Sequence, residues 1–267
     1  MISTADARRL ADELHAARRD VTTVRQISLR HPDLTVVDAY AVQRAWVERM
    51  LADGRVIVGR KVGLTSMPMQ RSMGISEPDY GVITDDMVFP SGGDVEVSRF
   101  NYPRVEIELA FVLAERLAGP GITAADVLRA TSHISPSIEI LDSRVEMTDA
   151  ADGHRRTIVD TVSDNAADAG MIVGPGILQP ADLSPRALSA VLYINGVIEE
   201  TGVASAVLGH PAAAVAWLAN KLGEYGDALE AGQVVLSGSL IQSIPVRAGD
   251  VVHGDFGELG AVTCRFV

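Results

Sequence analysis

Two glutamates one residue apart, Glu106 and Glu108, interrupt an otherwise apolar run, Val105-Glu106-Ile107-Glu108-Leu109-Ala110-Phe111. In a β-strand, residues i and i+2 share a face, so a strand here carries two carboxylates side by side. Left unpaired in a core, they cost on the order of several kcal/mol to desolvate, and something cationic must compensate. A hard divalent ion does so and takes oxygen ligands. Glu139 sits in a second apolar run, Ser137-Ile138-Glu139-Ile140-Leu141. Three glutamates from two strands would fill half an octahedron around Mg²⁺ or Mn²⁺ and leave room for water and substrate. The competing reading of Glu106 and Glu108 is a solvated strand face.

Lys61 lies in the apolar segment Val56–Gly63, between Gly59 and Gly63. A buried lysine needs an anionic partner or a depressed pKa, and either makes it a proton shuttle or carboxylate binder. The alternative is a lysine snorkelling from a strand edge. Asp79, in Glu77-Pro78-Asp79-Tyr80-Gly81, reads on local chemistry as a turn residue. Asn165, in Val162-Ser163-Asp164-Asn165-Ala166-Ala167, can orient substrate or cap a loop. The six histidines show no metal-ligand spacing, and neither the glycine-rich phosphate loops nor a G-x-S-x-G elbow is present. Cys264, the single cysteine, reads as a small buried hydrophobe and permits no internal disulfide.

The elements that must position these groups follow from periodicity. Ser3 or Thr4 caps a helix reaching about Arg19, with Leu10, Leu14 and Ala17 on one face. Thr35 and Asp38 form a capping-box pattern for a second helix that ends at Gly54. From Val56 the pattern is that of strands: Val56–Gly63, Glu106–Leu113, Ile134–Leu141, Thr157–Val162, Met171–Val173, Gln233–Ser237 and Ala261–Val267. Asn195-Gly196 signals a hairpin. Pro211 opens a helix running to Lys221, and a short helix follows Thr123. The spacing lacks a regular βαβ rhythm. The expectation is an α+β fold: an N-terminal helical segment, residues 1–55, and a β-rich body, residues 56–267, built on a mixed, strongly curved sheet. The two can be counted as one domain.

Of 267 residues, 47% are hydrophobic and 22% charged, enough apolar material for a sizeable core. A formal net charge of −12 without any basic run argues against nucleic acid as a partner. An anionic substrate stays open, because surface repulsion is screened beyond about 8 Å. No stretch is apolar enough to span a bilayer, and the first residues lack the basic-then-apolar order of a signal peptide. A cytoplasmic location is expected.

Taken in order, Arg60-Lys61-Val62-Gly63-Leu64-Thr65-Ser66, Glu77-Pro78-Asp79-Tyr80-Gly81, Pro103-Arg104-Val105-Glu106-Ile107-Glu108-Leu109-Ala110-Phe111, Ile138-Glu139-Ile140-Leu141-Asp142-Ser143-Arg144, Asp160-Thr161-Val162-Ser163-Asp164-Asn165-Ala166 and Leu208-Gly209-His210-Pro211 resemble one family. It is the 2-oxo-4-pentenoate hydratase and 4-oxalocrotonate decarboxylase group, related in fold to fumarylacetoacetate hydrolases. The resemblance covers nearly the whole chain. Ile75–Gly81, Asn195–Val203 and Val215–Leu222 look closest to the 2-oxohept-4-ene-1,7-dioate hydratase branch, which serves homoprotocatechuate breakdown.

The resemblance implies the curved mixed sheet, Mg²⁺ or Mn²⁺ held at Glu106, Glu108 and Glu139, and acid–base roles for Lys61 and Asp79. It reverses the turn reading of Asp79. It further implies a 2-oxo (di)carboxylate substrate, a homo-oligomer, and association with a related decarboxylase. Two positions depart from the pattern. Ala167 stands where hydratases of the short monocarboxylic substrate carry serine, which suits the dicarboxylate branch, and Arg60 precedes the lysine unexpectedly. A seven-carbon diacid needs a second cation for its distal carboxylate, and Arg156 and Arg71 are the candidates, against a solvated loop for the stretch around Arg156. The rival readings are a decarboxylase on the same scaffold, a hydrolase of C–C bonds between carbonyls, and a non-catalytic subunit of a decarboxylase.

Overall fold

The Ser3 hydroxyl accepts the Asp6 N–H at 3.1 Å and starts helix α1, Thr4–Asp20. A short turn, α2 (Ile27–Arg30), leads to α3 (Val36–Ala52), where Thr35 and Asp38 exchange backbone and side-chain bonds as a capping box. Leu10, Leu14, Trp46 and Met50 lock α1 against α3, and the same cluster takes in Val82 and Val145 from the body. Arg44, which interrupts the apolar stripe of α3, lies over the ring of Tyr225 at 4.5 Å. This computed structural model describes residues 1–151 and 153–267, without the side chains of residues 69, 72 and 73.

The body continues with β1 (Ile57–Gly63), α4 (Met67–Met73), β2 (Asp79–Thr84), β3 (Val88–Pro90), β4 (Asp94–Val95) and β5 (Arg104–Leu113). Then come α5 (Ala124–Ala130), β6 (Thr131–Leu141), α6 (Ile158–Ser163), β7 (Asp168–Val173), β8 (Ser189–Ile194) and β9 (Val197–Val203). The chain closes with α7 (Pro211–Gly223), β10 (Val234–Leu236), β11 (Ile244–Pro245), β12 (Val251–Asp255) and β13 (Ala261–Phe266). The hairpin at Asn195-Gly196 has φ of 55° and 80°, the left-handed pair that a tight two-residue turn requires.

One expected strand is a helix. Residues 157–162 are rich in β-branched side chains and read as extended, yet α6 forms there. The Asp160 carboxylate accepts both the N–H (2.8 Å) and the hydroxyl (3.1 Å) of Thr157, so local capping wins over β propensity.

The larger sheet runs β2-β1-β10-β5-β6-β7-β3, with β11 also paired to β5, and mixes parallel and antiparallel neighbours. It curls into a half-barrel. The Asn165 carboxamide, just before β7, donates to Val82 O at 2.9 Å and accepts from Val82 N at 2.8 Å, joining β7 to β2 across the open side. Along β5, Val105, Ile107, Leu109 and Phe111 point out into the main core. The second sheet, β4-β13-β12-β8-β9, covers that face. Gly254 leaves the space that Ile107 fills, for a Cβ there would lie 2.9 Å from its methyl group. Inside the curl, Ile83, Met87, Ala110, Met171 and Leu236 form an apolar floor.

Candidate active site

Above that floor the interior turns acidic. Glu106 and Glu108 project from β5 on one face, as the strand period dictates, and Glu139 of β6 stands directly opposite Glu106 in the ladder. One carboxylate oxygen from each lies within 4.8 Å of the others. Glu139 is 0% exposed. Its Oε2 and the Oε1 of Glu108 are buried with no hydrogen-bond partner, while Glu108 Oε2 accepts the Gly238 N–H at 2.7 Å. Burial and mutual repulsion push Glu106 and Glu108 well above the ordinary carboxylate range; burial also raises Glu139, against the pull of Lys61. Orphaned, converging, all-oxygen donors at the mouth of a cavity suit a hard divalent cation.

Lys61 of β1 is 4% exposed. Its Nζ lies 3.5 Å from Glu139 Oε1 and 4.0 Å from Asp79 Oδ1. Burial alone would lower its pKa, but Glu139, Asp79, Asp168 and Glu106 outweigh burial and hold the ammonium charged. Asp79 is the first residue of β2, opposite Gly63 in the ladder. Burial raises its pKa against the pull of Lys61 and Arg156 and a bond from the Gly63 N–H. Gly63 is required by space: a Cβ there would lie 2.2 Å from Asp79 Oδ1 and 2.9 Å from Lys61 Nζ. Arg60 points the other way and pairs with Asp227 at 2.7 Å.

A cavity of about 310 Å³ opens beside Glu106, lined by Gly63, Thr65, Ser66, Arg104 and Gln242 among others. A second, of about 560 Å³, adjoins it through Arg104 and Ser243, and is lined by Tyr102, Met147, Arg156 and Ala167. Arg156 is held by a 2.8 Å bond to Ser143 Oγ. Burial lowers its pKa, while Asp164, Asp160 and Asp79 favour its charge. Arg71 is exposed on α4 and lines neither cavity, so the structure does not bring it to the site.

Asn165 is buried, and both ends of its carboxamide are engaged by the Val82 backbone. Its geometry is that of a clasp between strands. Behind it, Arg144 binds Asp164 through Nε (2.6 Å) and through its backbone N–H (2.9 Å), and its Nη2 reaches the peptide oxygens of Asp164 and Asp168. These bonds hold Asn165, Ala166 and Ala167 in three successive left-handed conformations.

Two site residues escaped the sequence reading. Arg104 stands two positions before Glu106 on the same strand face, with Nε 2.8 Å from Ser243 Oγ and Nη2 on Ser243 O. The period-2 pattern that singled out Glu106 and Glu108 would have found it. Asp168 is buried within the field of Lys61, Glu139 and Arg144; nothing local in Ala167-Asp168-Ala169 marks it.

The Fumarylacetoacetate (FAA) hydrolase C-terminal family matches residues 56–267. A 2-oxo-hept-4-ene-1,7-dioate hydratase of Escherichia coli is 50% identical over 258 residues, 97% of this chain and 97% of that protein. A 4-oxalocrotonate decarboxylase of Pseudomonas sp. (strain CF600) is 37% identical, over 97% of this chain and 96% of that one. Among solved structures, 4-oxalocrotonate decarboxylase from Pseudomonas putida G7, complexed with magnesium and adipate, is similar with a TM-score of 0.94 at 33% identity, covering 100% of this chain and 99% of that chain.

Proposed function

The chain belongs to the fumarylacetoacetate (FAA) hydrolase family, and from that premise we propose that it is a divalent-metal-dependent hydratase acting on 2-oxohept-4-ene-1,7-dioate in its dienol form, giving 4-hydroxy-2-oxoheptanedioate. The observation that carries the reading is the 50% identity with a hydratase of that substrate along 97% of both chains. The cluster of Glu106, Glu108 and Glu139 facing Lys61 and Asp79 supports it with a site able to do the chemistry.

Glu106, Glu108 and Glu139 would hold Mg²⁺ or Mn²⁺. The ion supplies Lewis acidity toward the carboxylate and 2-oxo oxygens of the substrate. Lys61 and Asp79, 4.0 Å apart, move the protons. One goes to C5 as the dienol becomes the ketone, and one to C3 after water adds at C4. Arg156, with Arg104 at the junction of the two cavities, meets the distal carboxylate as a planar fork. Ala167 leaves that cavity wall without a hydroxyl, which suits a longer substrate.

The test is direct. Metal-stripped protein is supplied with Mg²⁺ and 2-hydroxyhepta-2,4-dienedioate, the loss of dienol absorbance is followed, and the product is weighed. A metal-dependent gain of one water supports the hydratase. Loss of CO₂ instead would establish the second reading, a decarboxylase, which the likeness to the Pseudomonas putida G7 enzyme favours. No turnover by the protein alone would favour a non-catalytic subunit. The reading extends to a cytoplasmic homo-oligomer working in homoprotocatechuate breakdown and able to associate with a related decarboxylase. No helix among the described residues is long and apolar enough to cross a membrane.

A further inference from the structure

A third pocket, of about 340 Å³, lies where the end of α1 meets the turns after α3 and β2. It shares Asp142 with the 560 Å³ cavity that holds Arg156, yet its walls carry charge of the opposite kind to the glutamate cluster. Arg18, Arg55 and Arg99 gather around one acid, Asp86. Arg18 Nη2 is 3.0 Å and Arg55 Nε 3.5 Å from the same oxygen, Asp86 Oδ2. Arg99 reaches only the peptide oxygen of Asp86, at 3.1 Å, and lies over the Phe89 ring. The other carboxylate oxygen of Asp86 takes the Thr84 hydroxyl.

The other charged groups on the wall have partners of their own, among them Arg19, which pairs with Asp20. Asp53 pairs with His15 and Arg49, and Arg144 with Asp164. Asp142 accepts the backbone N–H groups of Asn101 and Tyr102. Three guanidinium groups thus gather on the single residue Asp86, in a chain whose formal net charge is −12. Arg18 registers the crowding: burial, then repulsion from Arg144 and Arg99, act against its charge, with Asp86 holding it in place. The contacts of Arg55 and Arg99 with Asp86 use one nitrogen each, and a guanidinium offers five N–H donors in a planar fork matched to oxyanions.

We propose that this pocket is a binding site for a small, multiply charged oxyanion of the phosphate type, separate from the catalytic cavity. A dianion would satisfy the unmatched charge of Arg55 and Arg99 while leaving the Arg18–Asp86 pair intact. The proposal does not rest on the hydratase reading, because it requires neither the glutamate cluster nor turnover.

The test is isothermal titration of inorganic phosphate into the full chain loaded with Mg²⁺, in a phosphate-free buffer at fixed ionic strength. Three proteins are compared: the wild type, the double variant R55Q/R99Q, and Arg156→Gln. Both altered arginines of the double variant are exposed, and circular dichroism verifies that it is folded. The expected result is saturable binding of one phosphate per chain, weakened at least tenfold in R55Q/R99Q and unchanged in Arg156→Gln. Free phosphate and the phosphate group of a metabolite are told apart by repeating the titration with glycerol 3-phosphate: tighter binding identifies a monoester site, equal or weaker binding a site for the free ion. The proposal is overturned if the wild type shows no saturable binding, if R55Q/R99Q binds as the wild type does, or if Arg156→Gln abolishes the binding.

Discussion

Glu106 and Glu139 are direct cross-strand partners in the antiparallel ladder of β5 and β6, two carboxylates facing each other inside the curl of the sheet. Like charges so placed oppose pairing, and burial multiplies the penalty because it removes the water that would screen them. Lys61, 3.5 Å from Glu139, is the nearest cation and offsets only one of the three negative charges of the cluster. The ladder at this row would therefore be completed by a bound cation, as proposed above. Glu106→Gln removes one of the opposed charges. In metal-free protein this variant should melt no lower than the wild type. With Mg²⁺ at about a hundredfold excess over Kd, the wild type gains about 2.7 kcal/mol, and the variant should gain much less. Differential scanning calorimetry with and without Mg²⁺ checks both halves; equal Mg²⁺ stabilisation of the two proteins would sink the assignment of Glu106 as a ligand.

The same carboxylates set a pH dependence whose sign changes with the metal. Folding raises the pKa of Glu106 and Glu108 above the ordinary value, through burial and then repulsion within the cluster. A carboxyl whose folded pKa is raised contributes stability that is fully present below its unfolded pKa and is lost as pH rises through the folded value. Metal-free protein should thus lose melting temperature from these groups as pH rises across roughly pH 5 to 8. Mg²⁺ binds the ionised form, so its affinity should rise over the same interval and protons should be released on binding. Melting curves in EDTA and titrations in buffers of different ionisation enthalpy measure the two trends separately.

How much of this was legible in the sequence depends on the range of the interaction. The two glutamates of β5 were readable because a strand alternates faces, and the helix caps at Ser3 and Thr35 because a cap is a three-residue affair. The opposition of Glu106 and Glu139 was not, since cross-strand register is fixed by the packing of whole strands. Residues 157–162 misled because their β-branched side chains outweighed a one-residue cap signal, the Asp160 that makes them α6. Asp168 acquires its surroundings from β1 and β6, both distant in the chain, so no local pattern could announce it; Asn165 was readable as a polar turn residue, but its partner on β2 was not, because it lies far away in the chain. Arg104 was within reach of the period-2 argument but carried no charge conflict to draw attention to it.

A substitution at Gly63 would separate the proposed proton transfer from the proposed metal binding. Its missing side chain is what lets Asp79 and Lys61 approach each other, with Asp79 Oδ1 2.2 Å from where a Cβ would be. Gly63→Ala must push Asp79 aside, while Glu106, Glu108 and Glu139 come from other strands. Turnover should fall by roughly 10²- to 10⁴-fold, the usual contribution of a positioned acid or base, with Mg²⁺ affinity little changed. Lys61→Ala should give a similar loss. Paired measurements of kcat and of Mg²⁺ binding by calorimetry decide the matter, and a Gly63→Ala enzyme with wild-type kcat would show that the Lys61–Asp79 approach is not used.

Asn165 tests whether a residue of the site acts on substrate or on the fold. Its carboxamide makes two hydrogen bonds to one residue, the backbone N–H and C=O of Val82, and so closes the half-barrel between β2 and the segment entering β7. Asn165→Ala leaves that N–H and C=O buried and unpaired, at about 1–3 kcal/mol for each group left unsatisfied. It also replaces one non-glycine residue by another at φ 54°, and alanine lacks the short polar side chain that eases the left-handed conformation there. The variant should therefore melt several degrees lower with neither metal nor substrate present, and Asn165→Asp should recover only the bond accepted from Val82 N. A residue serving substrate alone would leave the ligand-free melting temperature where it was and raise KM instead. Melting curves of the ligand-free variants, set beside their KM values, distinguish the clasp from the substrate ligand.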